Sequence, residues 1–267
     1  MSKKGGFCTV SNFLVEKWDH VARVIINRPA QRNAFCREMW GELAEVMHSL
    51  EKDGEARVVI ITGAGATFAA GADLSQLSEL KEDNVRHAYT QLVDEALKGI
   101  MNFPYPVIAM INGPAIGAGC EVAIVCDLLV CTEEAVFAVP SAKLGIVLPY
   151  SLVQRLLNLV GLSATREILF LGEPFSAKRA YEMGMVTRVV PKAQLEEETN
   201  RMATKIAANA PIAVKGSKKA IGHWFSFQDG EDHDEMEKLE GDSFRSEDFL
   251  EGLSAFFEKR RPTWRGR

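Results

Sequence analysis

Short apolar runs of strand length alternate along this chain with longer stretches whose apolar residues recur every three or four positions. Phe7 to Val15 and Val21 to Ile26 read as paired strands around a polar Glu16 to His20 connection, and Asn27-Arg28-Pro29 breaks the run. From Arg37 to Lys52 the residues Met39, Trp40, Leu43, Val46, Met47 and Leu50 mark one face of a helix that Asp53-Gly54 ends. Val58 to Thr62 is a β-branched run of the buried-strand type, and Val107 to Ile111 is a second one after the Pro104-Tyr105-Pro106 breaker. A helix is expected over much of Val85 to Met101 between them. Later come a strand at Val186 to Val190 and helices near Leu195 to Asn209, Ile212 to Ile221 and Glu235 to Arg260.

Strands dominate the first two thirds and helices the last third. That order predicts an α/β fold of strand-strand-helix units, closed by a helical C-terminal segment whose apolar faces need a partner. No linker divides the chain, so residues 1–195 are expected to form the sheet core with the functional site, and 196–267 a helical region of the same domain. The acidic stretch Asp229 to Glu235 reads as a solvated loop and helix start.

Composition narrows the class. With 267 residues, 47% hydrophobic and 25% charged, the chain has the profile of one large soluble globular domain. A net charge of -5 and only short basic clusters at Lys218-Lys219 and Lys259-Arg260-Arg261 argue against a nucleic-acid partner. The odd set Cys8, Cys36, Cys120, Cys126 and Cys131 has no CxxC spacing and reads as reduced core thiols. The basic N-terminus leads into no apolar signal region, and no run reaches the ~18 apolar residues of a membrane span. A cytoplasmic enzyme with no membrane partner fits these features.

Several familiar chemistries fail on their signatures. After the first buried strand, Gly63-Ala64-Gly65 begins a dinucleotide fingerprint, but Phe68 stands where its third glycine belongs. The chain has no Walker A sequence, no GxSxG elbow and no His-Glu-x-x-His, and its five histidines are scattered, so neither a metal site nor a serine hydrolase is expected.

Two small-residue turns remain, each following an apolar strand: Phe68 to Leu74, and Gly113 to Glu121. Helix N-termini expose unpaired backbone N–H groups, and small side chains let a ligand oxygen approach them. The second turn also sets Glu121 among Cys120, Val122, Ala123, Ile124 and Val125, a costly place for a carboxylate without a chemical purpose. Oxygen stabilisation beside a proton carrier suits enolate chemistry next to a carbonyl. The plainer reading is that the glycines and alanines serve only tight turns and close packing.

These residues resemble the crotonase, or enoyl-CoA hydratase/isomerase, superfamily from about Phe13 to Arg267. The likeness rests on Asn27-Arg-Pro-Ala-Gln-Arg-Asn33-Ala34, Phe68-Ala-Ala-Gly-Ala-Asp73, Pro106 through Gly113 into Gly117-Ala-Gly-Cys-Glu121, Cys126-Asp127, and the tail Ser246 to Phe249 and Lys259 to Pro262. It implies a crotonase-like spiral of ββα units whose helical C-terminal region packs in a homotrimer or homohexamer. It implies a coenzyme A thioester as substrate, with no permanently bound cofactor. By position, Ala72 and Ala118 would supply the two oxyanion-hole N–H groups and Glu121 a catalytic carboxylate. Arg28, Ala30, Arg32 and Ala34, with Ala70 and Asp73, would lie along coenzyme A, and Lys259 would reach its nucleotide from a neighbouring subunit.

The chain departs from the hydratase pattern at two points. Ser141 falls where the second catalytic glutamate belongs, and a hydroxyl is a far poorer base at neutral pH. Leu148-Pro149-Tyr150-Ser151-Leu152 replaces a glycine-rich helix start and resembles a segment of methylmalonyl-CoA decarboxylase relatives, where Tyr150 would orient a carboxylate or supply a proton. Three readings therefore stand: a hydratase/isomerase-type enzyme, a decarboxylase of malonyl-type thioesters, and a non-catalytic acyl-CoA-binding protein.

Overall fold

The computed structural model describes residues 8–10, 12–226, 241–242, 244–260 and 262–263. Residues 1–7, the acidic stretch Asp229 to Glu235 and the side chains of Cys8 and Leu77 lie outside that description. The main sheet has seven strands in the order β1 (Cys8–Val10), β2 (Phe13–Trp18), β3 (Val21–Ile26), β4 (Val58–Gly63), β5 (Val107–Ile111), β7 (Leu128–Thr132) and β10 (Arg188–Val190). The first three are antiparallel and the rest parallel from β3 onward. A smaller sheet joins β6 (Ala115–Ile116), β8 (Val136–Ala138) and β9 (Phe175–Ser176).

The opening hairpin departs from the sequence reading. The chain turns at Asp19 and His20, both at positive φ, so β2 runs on to Trp18 and pairs it with Val21. Such two-residue turns match the right-handed twist of the strands they join, which explains why the polar run Glu16 to Trp18 stays in the sheet. The expected first strand also divides in two, β1 folding back on β2 with Val10 paired to Phe13.

Helix α1 (Arg37–Asp53) buries Met39, Trp40, Leu43, Val46, Met47 and Leu50, the face predicted from their spacing. At ~1.5–3 kcal/mol for each fully buried side chain, that stripe contributes on the order of 10 kcal/mol to docking the helix. After it come the short α2 (Leu74–Leu77) and the long α3 (Asp83–Met101), which packs beside α1. Strands β4 and β5 are buried along their whole length because helices cover both sheet faces. On one face lie α1, α3, α4 (Ala118–Val125), α5 (Tyr150–Leu171) and α6 (Ala177–Glu182). On the other, α7 (Leu195–Ala207) sets Leu195, Ala203 and Ala207 against Val58, Ile60, Ile108 and Val130. The helical region expected from residue 196 thus begins inside a helix that closes the sheet core.

Among the described residues follow α8 (Pro211–Ser226) and α9 (Glu247–Glu258). Lys218 of α8 reaches the core, its Nζ donating to the Asp127 carboxylate at 2.6 Å and to the Tyr105 carbonyl at 3.0 Å. Helix α9 packs on the turn Pro140–Leu144, with Phe249 and Leu253 buried against Leu80 and Phe244. No described helix is long and apolar enough to cross a membrane.

Two consequences can be measured. A Cβ on Gly119 would lie 2.3 Å from the Ala69 carbonyl oxygen, whereas one on Gly216 of α8 would meet nothing within 4 Å. Gly119→Ala should therefore lose ~1–3 kcal/mol in urea unfolding, and Gly216→Ala should be neutral or stabilising; equal effects would contradict the close approach. Cys36, Cys120, Cys126 and Cys131 are free and buried. Burial pushes the Cys120 and Cys126 thiols far up and that of Cys131 up to about 12. In a thiol-labelling assay at pH 8 these four should stay unreactive until the protein unfolds.

Candidate active site

The site begins with three segments at the carboxyl ends of β3, β4 and β5. Residues 28–35 leave β3, residues 64–73 leave β4 and residues 112–117 leave β5, and backbone hydrogen bonds lace them together. The Phe35 N–H donates to the Gly71 carbonyl at 2.8 Å and Asp73 N–H to Phe35 carbonyl at 2.7 Å, which bridges Phe35 to Ala72. In that parallel pairing the Ala72 N–H points to the side away from Phe35. On that side runs the third segment, where Ile116 N–H donates to the Ala69 carbonyl at 2.9 Å.

The third segment then becomes α4. Gly117 is its N-cap at φ 49, and the Glu121 N–H makes the first intrahelical bond, to the Gly117 carbonyl at 2.9 Å. The N–H groups of Ala118, Gly119 and Cys120 are therefore the unpaired donors that any helix start leaves. Among the described residues neither the Ala72 nor the Ala118 N–H has a hydrogen-bond partner. The two turns touch, since a Cβ on Gly117 would come within 3.7 Å of the Gly71 Cα.

Glu121 lies one helical turn beyond Ala118. Cys120 and Val122 on either side are fully buried, while Glu121 is half-buried. Its charge is felt by Cys120 and by Tyr89 of α3, whose hydroxyl is pushed up first by burial and further by this carboxylate. At the far end of α4, Arg155 of α5 donates to the Ile124 carbonyl at 2.9 Å and the Cys126 carbonyl at 3.0 Å, satisfying acceptors that a helix C-terminus leaves open.

Ser141 and Tyr150 lie further along the chain. Strand β8 lies beside β6, and the Gly117 N–H donates to Ala138 at 2.8 Å, so the chain that continues through Val139 to Ser141 passes the start of α4. Ser141 is half-buried in the turn that follows. Pro149 is the N-cap of α5 and Tyr150 its first helical residue, also half-buried.

The segment expected along coenzyme A has its own order. Asn33, fully buried at positive φ, donates from Nδ2 to the Ala64 and Thr67 carbonyls at 2.9 and 2.7 Å and accepts the Arg28 N–H. Arg28 donates from Nη1 to the Ala34 carbonyl at 2.7 Å and pairs with Asp73 at 3.7 Å, so its guanidinium staples the segment to the turn that carries Ala72. Ala70 N–H donates to the Arg32 carbonyl, while the side chains of Ala30 and Arg32 are exposed. Lys259 is exposed at the end of α9, and among the described residues no bond links it to this segment.

Sequence reasoning passed over Tyr89 and gave Trp40 only a core role. Trp40 Nε1 donates to the Tyr89 hydroxyl at 3.2 Å, and Tyr89 packs against the same two core clusters as Ala72. An aromatic residue on an amphipathic helix carries no signal that separates such a hydroxyl from packing.

The family model for enoyl-CoA hydratase/isomerase matches residues 16–267. A short-chain-enoyl-CoA hydratase of Clostridium acetobutylicum is 35% identical over 257 residues, covering 94% of this chain and 97% of its own. A 2,3-dehydroadipyl-CoA hydratase of Escherichia coli is 33% identical over 260 residues, covering 97% of this chain and all of its own. A solved structure of methylmalonyl-CoA decarboxylase in complex with 2-nitronate-propionyl-CoA superposes with a TM-score of 0.88 at 25% identity, over 97% of this chain and 100% of that one. The crotonase-like spiral implied by the motifs is thus the fold of this chain, which belongs to the enoyl-CoA hydratase/isomerase family of acyl-CoA enzymes.

Proposed function

We propose that the protein adds water across the double bond of a 2-enoyl-CoA thioester, with Glu121 moving the proton. The observation that carries this reading is the contact between the two turns, which sets the Ala72 and Ala118 N–H groups beside the helical turn bearing Glu121. The thioester oxygen accepts both N–H bonds. Glu121 takes a proton from water as the water oxygen bonds to the β-carbon, and the π electrons move onto the thioester oxygen as an enolate. The enolate then collapses, and the same carboxyl group returns the proton to the α-carbon. The sum is one water added, with the enzyme unchanged.

Because Ser141 occupies the second carboxylate's position, one carboxyl serves both steps. Each N–H donor contributes ~2.7–4 kcal/mol to holding the enolate, and it does so whatever side chain its residue bears. Arg32 and Lys259 are the exposed cations available to coenzyme A phosphates, while Arg28 and Asp73 hold the shape of the wall. Exposed Phe170, Leu171, Phe256 and Phe257 support assembly into a homotrimer or homohexamer.

A second reading follows from Ser141, Tyr150 and the likeness to the decarboxylase structure. Loss of carbon dioxide from a malonyl-type thioester generates the same enolate in the same hole, and one proton donor completes the reaction. The two are separated by mass spectrometry in deuterated water with crotonyl-CoA and methylmalonyl-CoA. Water gain by crotonyl-CoA supports hydration; deuterated propionyl-CoA that falls with Tyr150→Phe supports decarboxylation. Binding without turnover across a thioester panel would leave only the acyl-CoA-binding role.

In either reaction Glu121→Gln should lower kcat by ~10²–10⁴ while thioester affinity by calorimetry stays near the wild-type value. Full activity in that variant would remove Glu121 from the mechanism.

A further inference from the structure

The two backbone hydrogen bonds that flank Ala72 end on a single residue. Phe35 donates to the Gly71 carbonyl at 2.8 Å and accepts the Asp73 N–H at 2.7 Å. Bonds to one residue fix where the segment lies along its neighbour and leave the rest of its placement to packing. Besides the main core, Ala72 packs against a second cluster, and so does Leu74; the buried members described there are Leu80, Phe244, Phe249 and Leu253. Three of these four belong to the C-terminal segment: Phe249 and Leu253 lie on α9 and Phe244 just before it. The Phe244 and Phe249 rings stand 5.1 Å apart, edge to face.

Helix α9 is itself fixed to the turn Pro140–Leu144. A Cβ on Gly252 would lie 2.8 Å from the Leu144 carbonyl, and one on Gly145, at φ 69, would lie 2.8 Å from the Phe249 nitrogen. Helix and turn therefore meet backbone to backbone, a contact with little freedom to slide. Ser246 starts the helix at that point, its Oγ accepting the Phe249 N–H at 3.0 Å. Arg245 pairs with Asp83 at the start of α3, and Asp83 also accepts from Arg86 at 2.6 Å. Such exposed ion pairs add little. The glycine contacts set where α9 sits, and Phe249, fully buried, carries that position into the cluster on which Ala72 packs.

We propose that α9 is a brace for the Ala72 donor, with Phe249 and Leu253 as positioning residues that act through the cluster on the segment from Gly71 to Leu74. The inference rests on the reading that the Ala72 N–H holds the thioester oxygen. A donor stabilises developing charge only while its direction is fixed, because a mobile N–H must reorganise as the charge appears. The C-terminal helix thus contributes to catalysis without touching a reacting atom, by keeping this short segment from moving.

The test uses Leu253→Ala, with Leu253→Val as a milder variant should the first fail to fold, and Leu195→Ala on the opposite sheet face as a control for general loss of stability. By NMR hydrogen exchange, the Phe35 and Asp73 amides should exchange about tenfold faster in Leu253→Ala, by a smaller factor in Leu253→Val, and no faster in Leu195→Ala. The infrared band of the ¹³C-labelled thioester carbonyl of bound butyryl-CoA, a saturated probe with no double bond to hydrate, should move part of the way back to its position in solution in the Leu253 variants alone. Unchanged exchange at Phe35 and Asp73 in a folded Leu253 variant overturns the inference, as does equal acceleration in Leu195→Ala or faster exchange with the carbonyl band unmoved. If the wild-type protein leaves the band where it lies in solution, the functional reading of Ala72 falls, while the exchange rates still decide whether α9 braces the segment.

Discussion

Everything at this site depends on two backbones lying closer together than side chains normally allow. The turn after β4 and the start of α4 meet where a Cβ on Gly119 would overlap the Ala69 carbonyl and one on Gly117 would touch the Gly71 Cα. A helix N-terminus alone offers donors that water satisfies. Pairing to Phe35 turns the Ala72 N–H away from residues 28–35, and the start of α4 leaves the Ala118 N–H without an intrahelical partner, so the backbone sets the direction of each donor. Preorganised dipoles of that kind need no rearrangement when charge develops on a bound oxygen, and this is why backbone groups on a rigid frame suffice.

The frame is kept rigid by polar side chains that sequence patterns render as loop residues. Asn33 spans to Ala64 and Thr67, Asn112 donates to Gly63 and Gly65 at 2.8 and 2.9 Å, and Arg28 ties Ala34 to Asp73. Each satisfies carbonyls that would otherwise be stranded in a closely packed turn. In this frame the Ala30 side chain is exposed and those of Ala34 and Ala70 are half-buried.

Much of this was legible before any coordinates, for reasons that vary by element. The α1 face, β4 and β5 carry strong periodic or continuous apolar signals, and the observed ranges differ from the expected ones by at most one residue. The two small-residue turns could be singled out because glycine beside a buried carboxylate is chemically odd. Strand β7 was passed over because the chain is apolar from Val122 to Cys131 save for Asp127, and no period divides α4 from the strand. Asp127 marks the break, its carboxylate accepting the Val107 N–H at 2.7 Å and the Lys218 ammonium. Helix α5 was missed beyond its start because Gly161, at φ 75, kinks it and interrupts its pattern. The hairpin turn was misplaced because Asp19 and His20 adopt left-handed backbone without a glycine to announce it.

The carboxylate's own environment follows from the same economy of space. Glu121 is half-buried between fully buried neighbours, so its charge is partly stripped of water and must be balanced by nearby dipoles. The N-terminal end of α4 supplies one such dipole, since an acidic residue in the first turn faces the positive end of the helix. In the proposed hydration that same end would also stabilise an enolate in front of Ala118, so base and enolate would draw on a single field. In that reading, as negative charge built on the thioester oxygen, the carboxylate that had just accepted a proton would give up its claim on the field, and returning the proton would restore it. A second carboxylate in this small space would raise the electrostatic cost of the charged state, and a neutral Ser141 beside the start of α4 avoids that cost.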